Sequence, residues 1–141
     1  MLAQNFMSAD QLHVTREEHA ALITVLYMLE REELKPIVFG INNINDRVLQ
    51  GKCFSMNNTW VKGKCGSAGC IGGWVADVMG VSDKNKYVDS YWSYDAIRQA
   101  PLADLYWNAN AIHGEVSPDQ GAAALRNFLT TGKAQWDVVL A

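Results

Sequence analysis

The feature that most constrains the fold is a helix that begins among glycines. Gly69, Gly72 and Gly73 lie at the start of a segment whose apolar residues recur at helical spacing: Ile71, Trp74, Val75, Val78 and Met79. A glycine inside a helix costs about 1 kcal/mol relative to alanine. We therefore expect another backbone or a ligand to approach this helix closely. Ser67 is its predicted N-cap, and Gly80 is placed to end it.

An earlier helix is predicted to begin at Thr15, which forms a potential capping box with Glu18. Its apolar stripe consists of Leu22, Val25 or Leu26, and Leu29, and Pro36 requires a break. Pro36 also suits the first turn of a second helix that Gly51 would close, with Ile37, Ile41, Ile44 and Val48 on one face. Gly40 and three asparagines weaken this second helix, so an irregular turn is its alternative.

Two further helices are predicted in the C-terminal half of the chain. One begins near Pro101 with Leu102, Leu105 and Tyr106 facing inward. The other is capped by Ser117 and ends at Gly132, with Ala122, Leu125, Phe128 and Leu129 facing inward. These patterns predict a mainly α fold, a compact bundle of about five helices.

Three segments lack helical periodicity. Residues 52–66 are predicted to form a docked loop, because Phe54, Met56 and Trp60 need apolar cover. The aromatic-rich segment 87–94 is a candidate for a short strand or hairpin, or for a packed loop. Residues 133–141 would form a short extended tail or strand, or a last helical turn.

Composition sets the class of protein. The 141 residues are 49% hydrophobic and 19% charged, which predicts a single globular domain over residues 1–141, with residues 1–10 a candidate disordered segment. The net charge of −3 disfavours nucleic acid as a partner, and we interpret Lys52, Lys62 and Lys64 as part of a solvated loop. No export signal or membrane span is evident, so we expect a cytoplasmic protein. The oligomeric state stays open.

The motif Cys65-Gly66-Ser67-Ala68-Gly69-Cys70-Ile71-Gly72-Gly73-Trp74 resembles a pattern of small uncharacterised proteins from bacterial and bacteriophage genomes. In that family a cysteine, glycine and threonine or serine precede a second cysteine, a glycine and an aromatic residue. The resemblance also covers the approach to Trp60, the Leu105-Tyr106 helix and the helix entered by Ser117-Pro118. It implies a shared architecture, with Cys65, Gly66, Ser67, Cys70, Gly73 and Trp74 as a structural motif, and a phage or mobile-element setting. It implies no activity, cofactor or catalytic residue.

The cysteines admit two kinds of chemistry. Cys70 in the first turn of a helix could act as a nucleophile with His113 as its base, since the helix dipole favours a thiolate. The rival interpretation is that Cys70 is small core filler, because free cysteines are among the most buried residues. A structural zinc site could use Cys53, Cys65, Cys70 and His113, but their spacing departs from that of zinc knuckles. We expect no cofactor.

The aromatic side chains suggest a binding surface. Tyr and Trp are enriched at interface hot spots, and Tyr87, Tyr91, Trp92 and Tyr94 would form its centre. The alternative is that these rings cover the core. We therefore expect a non-enzymatic protein-binding module. The resemblance further implies a phage or mobile-element protein that acts on a host protein, with inhibition of host defence as one instance. A cysteine-dependent hydrolase or transferase and a small zinc domain are the alternatives.

Overall fold

The computed structural model describes residues 5–36, 51–56, 59–62, 66–92, 100–112 and 116–141, with the backbone alone for 108–112. The helices in these ranges are α1 (Ala9–Leu12), α2 (Arg16–Glu30), α3 (Ile71–Val78), α4 (Lys84–Asp89), α5 (Pro101–Ile112), α6 (Pro118–Thr131) and α7 (Trp136–Val139). The strands are β1 (Lys35–Pro36), β2 (Gly51–Phe54), β3 (Trp60–Lys62) and β4 (Gly66–Gly69).

The prediction of a helical bundle is wrong, because a four-stranded mixed sheet accompanies the helices in the described ranges. The strand order is β1-β2-β4-β3, in which β1 and β4 are parallel to β2 while β3 is antiparallel to β4. Cys53 pairs with Ala68, and Ala68 with Val61. The chain therefore has an α/β fold.

The sheet lies where the sequence predicted other structures. Segment 52–66, predicted as a loop, contains most of β2, all of β3 and the first residue of β4, so Lys52 and Lys62 lie in strands. Pro36 lies in β1 and Gly51 begins β2, while residues 37–50 of the predicted second helix are outside the described residues. Ser67 is in β4, so it is not the N-cap of α3; Cys70 has that position.

The strands predicted near 87–94 and at the C-terminus are also absent from the described residues. Residues 84–89 form α4, followed by a turn through Tyr91, and Ser93 and Tyr94 are outside the described residues. The C-terminal segment contains α7, which begins after Gln135. In both places aromatic and β-branched residues lie in a helix, with Val88 and Trp136 buried, because tertiary contacts outweigh the weak strand preference of a short segment.

The start of α2 and both ends of α6 lie where the sequence predicts them. Thr15 and Glu18 form the predicted capping box at the start of α2, and Ser117 and Gln120 form another at the start of α6. Gly132 ends α6 with φ of 85°. The predicted inward residues Leu22, Val25, Leu26 and Leu29 of α2 are all buried, and they face a core shared with α3 and α6.

Glycines in α3 allow two other parts of the chain to reach its backbone. A Cβ atom added to Gly73 would overlap the carbonyl oxygen of Thr59, which leads into β3. A Cβ atom at Gly72 would lie 2.8 Å from Cγ2 of Val88 and 3.2 Å from the ring of Tyr106. The close approach predicted from these glycines is therefore made by the chain itself, on one side by the sheet and on the other by α4 and α5.

We predict that Gly73→Ala destabilises the fold by about 3 kcal/mol or more, because the backbone carbonyl that it meets cannot rotate away as a side chain could. The matched control is Gly80→Ala, where no atom lies within 4 Å and the positive φ of 77° is the only obstacle. That change should cost about 1 kcal/mol. Urea unfolding of both variants measures the two costs, and equal values would contradict the close approach.

Candidate functional site

Cys70 is buried at the start of α3. Its side chain is 3% exposed, and its Sγ accepts a hydrogen bond from the N–H of Gly73 at 3.4 Å. Burial raises the pKa of the Cys70 thiol to about 11 from an ordinary value of 9.0, although the amides of Gly73 and Gly72 act in the opposite direction. The thiol is therefore protonated at neutral pH, and its surroundings are those of core filler and a helix cap.

His113, the predicted base for Cys70, lies outside the described residues, as does Cys65. Cys53 is buried on β2, and its carbonyl oxygen accepts a hydrogen bond from the indole N–H of Trp74 at 2.9 Å. Among the described residues, no group of three or more His, Cys, Asp or Glu side chains is placed to hold a metal ion. The motif residues Gly66, Ser67, Gly73 and Trp74 instead connect β4 to α3.

Trp74 and Trp60 join the sheet to this helix. Their ring centroids are 4.8 Å apart in an edge-to-face arrangement. The ammonium group of Lys84 lies 5.0 Å from the centroid of Trp60 and 3.7 Å from a carboxylate oxygen of Asp77. The motif therefore lies beneath a layer of aromatic contacts, which fits a structural role.

The tyrosines predicted as a binding surface belong to a hydrogen-bonded cluster around Glu18. The hydroxyl groups of Tyr87 and Tyr91 both donate to Oε2 of Glu18, the first at 2.6 Å. The hydroxyl of Tyr106 lies 2.7 Å from that of Tyr87. The three rings meet edge to face, with centroids 5.4–5.9 Å apart. We call Glu18, Tyr87, Tyr91 and Tyr106 the tyrosine–carboxylate cluster.

Glu18 is 5% exposed, yet its carboxylate is stabilised as an anion. Burial acts to raise the pKa of Glu18, but hydrogen bonds from the Thr15 amide and the two tyrosines outweigh this effect and hold the pKa below its usual 4.5. Burial, together with the nearby carboxylate, raises the pKa values of Tyr87 and Tyr91. At neutral pH the cluster thus holds one negative charge and protonated hydroxyls, an arrangement suited to holding helices together.

Sequence reasoning assigned Glu18 a capping role and missed its second role. Glu18 lies four residues before Leu22, at the head of the buried stripe of α2, which is a signal that its side chain points inward. Tyr87 and Tyr91 are also four residues apart and hence share a helix face. No local pattern connects these two observations, because α2 and α4 are far apart in the sequence.

Trp92 differs from its tyrosine neighbours in being exposed. Its side chain is 52% exposed, whereas Tyr87 and Tyr91 are partly buried and pack against the core. Tyr94, the fourth residue of the predicted surface, is outside the described residues. The structure therefore separates the predicted set into two supporting tyrosines and one outward-facing tryptophan.

A cavity of about 370 Å³ lies elsewhere, between the end of α2, β1 and the start of α6. Its lining residues are Leu29, Glu32, Leu34, Lys35, Pro36, Ser117, Pro118 and Asp119. None of the residues nominated from the sequence as catalytic, metal-binding or partner-binding lines it.

Protein-family models, curated proteins and solved structures yielded no match to this chain. Within the described residues, no helix is both long and apolar enough to cross a membrane.

We predict that Cys70 reacts slowly with iodoacetamide at pH 7.5. The two-unit rise in pKa reduces its thiolate fraction about a hundredfold relative to an ordinary thiol, and burial slows the reaction further. Peptide mass mapping after labelling distinguishes Cys70 from the other cysteines, and labelling in urea provides the control in which it should react readily. Labelling of native Cys70 at the rate of glutathione would restore the nucleophile interpretation.

We also predict a loss of stability in alkali. Tyr87, Tyr91 and Tyr106 have raised pKa values in the folded state, so the stability that they contribute is complete below pH 10 and is lost as the pH rises above it. Each tyrosine that ionises only on unfolding steepens this loss by up to about 1.4 kcal/mol per pH unit. Urea unfolding between pH 8 and 11 should give a shallower decline for Tyr87→Phe than for the unchanged chain, and parallel declines would contradict the cluster.

Proposed function

We propose that this protein is a non-enzymatic protein-binding module whose contact surface is centred on Trp92. The observation that carries the proposal is the 52% exposure of this large ring beside the hydrogen-bonded tyrosine–carboxylate cluster. Tryptophan is among the side chains most enriched at interface hot spots, where it supplies a large apolar area at little cost in conformational entropy. A tryptophan on a fixed support is hence well suited to insert into a pocket on a partner.

The surroundings of Cys70 argue against the cysteine-nucleophile alternative. The nucleophile hypothesis needs a thiolate, and burial holds Cys70 protonated near neutral pH. Its Sγ already accepts a hydrogen bond from the N–H of Gly73. The space beside Gly73 is filled by the Thr59 carbonyl, and the space beside Gly72 is filled in part by the ring of Tyr106. The thiol also lies 3.9 Å from the carbonyl oxygen of Thr59, to which it can donate.

The kind of partner follows from charge and from the resemblance noted above. A net charge of −3 disfavours a phosphate backbone, so the proposed partner is a protein. The resemblance to small bacterial and bacteriophage proteins supports a phage or mobile-element protein acting in the cytoplasm on a host protein. Inhibition of a host defence system is the instance that we propose within this class.

We predict that Trp92→Ala weakens partner binding about thirtyfold, as expected for a hot-spot ring worth about 2 kcal/mol. A photo-crosslinking amino acid at position 92 first identifies the partner in a bacterial lysate, and titration of the purified partner then gives the affinities. Trp92 is exposed, so its removal should leave the free energy of unfolding nearly unchanged.

The matched control for this experiment is Val138→Ala, since Val138 is a 67% exposed apolar residue on α7. Its removal should leave the affinity unaltered. A partner that binds Trp92→Ala as tightly as the unchanged chain would refute the proposed surface. Tyr91→Ala is unsuitable here because it would also disrupt the tyrosine–carboxylate cluster.

A further inference from the structure

The C-terminal end of α4 is attached to α2 through a single carboxylate. The Tyr91 hydroxyl donates to Oε2 of Glu18 across 73 positions of sequence, and the Tyr87 hydroxyl donates to the same oxygen. Oε1 of Glu18 accepts the amide N–H of Thr15 at 3.0 Å. Both carboxylate oxygens are therefore engaged, so the orientation of the carboxylate is fixed from within α2.

The turn after α4 connects this attachment to Trp92. The N–H of Tyr91 donates to the carbonyl of Val88 at 3.1 Å, and the N–H of Trp92 donates to that of Asp89 at 3.0 Å. In a turn with such bonds between residues three apart, consecutive side chains point about 120° apart. A Tyr91 side chain held inward consequently directs the next side chain, Trp92, away from the core.

The rest of α4 is held by other contacts. Val88 packs over Gly72, and its carbonyl accepts the indole N–H of Trp107 at 3.0 Å. These contacts fix the middle of α4 whether or not Tyr91 is bonded. Beyond Asp89, the Ser90 hydroxyl donates to the carbonyl of Tyr87 at 2.6 Å within the same segment, and the Tyr91 hydroxyl bond to Glu18 connects the turn to α2.

We propose that Glu18 is a positioning residue for Trp92, which it holds in its outward orientation by binding the Tyr91 hydroxyl. The inference rests on the proposed function in one respect, namely that Trp92 is the residue the partner contacts. Glu18 itself is buried and acts entirely through Tyr91. The binding surface on α4 is thereby coupled to a residue in the first turn of α2.

Amide hydrogen exchange measured by NMR on the full chain tests this coupling in three variants. Glu18→Gln retains an amide that can complete the capping box but removes the charge, and Tyr91→Phe removes the hydroxyl. Tyr87→Phe is the matched control, because it removes a hydroxyl from the same carboxylate while leaving that of Tyr91. We expect the amides of Tyr91 and Trp92 to exchange about tenfold faster in the first two variants, since a hydrogen bond to a charged group is lost or weakened.

In Tyr87→Phe, those two amides should accelerate less than threefold, and the amides of α6 should serve as the internal reference for global unfolding in every variant. Unchanged exchange at Tyr91 and Trp92 in Glu18→Gln and Tyr91→Phe would overturn the inference. So would an equal acceleration in all three variants, which would mark the cluster as a general stabiliser. These readouts need no partner, so their failure is distinct from a failure of Trp92→Ala to weaken binding.

Discussion

The contact between the Thr59 carbonyl and the backbone of α3 is the constraint on which the rest of the structure depends. A sheet of such short strands has little surface with which to hold itself on the helices. By leaving out a side chain at Gly73, the sequence lets the sheet lie directly against a helix backbone. Trp60 and Trp74 then pack edge to face beside this contact, and the indole of Trp74 reaches the carbonyl of Cys53 on β2.

The neighbouring glycine extends the same principle to the other side of α3. Gly72 admits Val88 of α4 and Tyr106 of α5, and Tyr106 in turn meets Tyr87. The tyrosine–carboxylate cluster and the sheet are therefore built on adjacent residues of one short helix. Cys70, which precedes these glycines, is a buried helix cap, because its Sγ lies against the N–H of Gly73 and the carbonyl of Thr59.

The sequence predicts helices better than it predicts strands, for a physical reason. A helix carries its own signals in caps and periodicity, and the capping boxes at Thr15 and Ser117 were found where they were expected. β4 is Gly-Ser-Ala-Gly, which has neither β-branched residues nor a readable alternation. Its pairing with β2 and β3 depends on contacts outside the segment, which no local pattern contains.

At the candidate site, the sequence likewise identified individual residues but not the contacts between segments that are far apart in the chain. The prominence of Tyr87, Tyr91 and Trp92 was visible in the sequence, but their division into supporting and exposed rings was not. That division depends on Glu18, whose role is set by a helix that is distant in the sequence. The choice between a nucleophile and core filler at Cys70 likewise depends on its burial, because a cysteine at the start of a helix is reactive when exposed and inert when buried.

The long sequence separation within the cluster has a consequence for how the chain folds. Glu18 emerges from the ribosome 73 residues before Tyr91. A second long-range pair on α2 behaves in the same way, because Arg126, which binds Glu30 through two nitrogens, follows it by 96 residues. Until the later segments are synthesised, the buried face of α2 lacks α3 and α6, which cover most of it, and the tyrosines that bind its carboxylate are absent. Closing such large loops slows the folding of a domain. The nascent N-terminal half is thus the stage at which this chain is most exposed to aggregation and to chaperones.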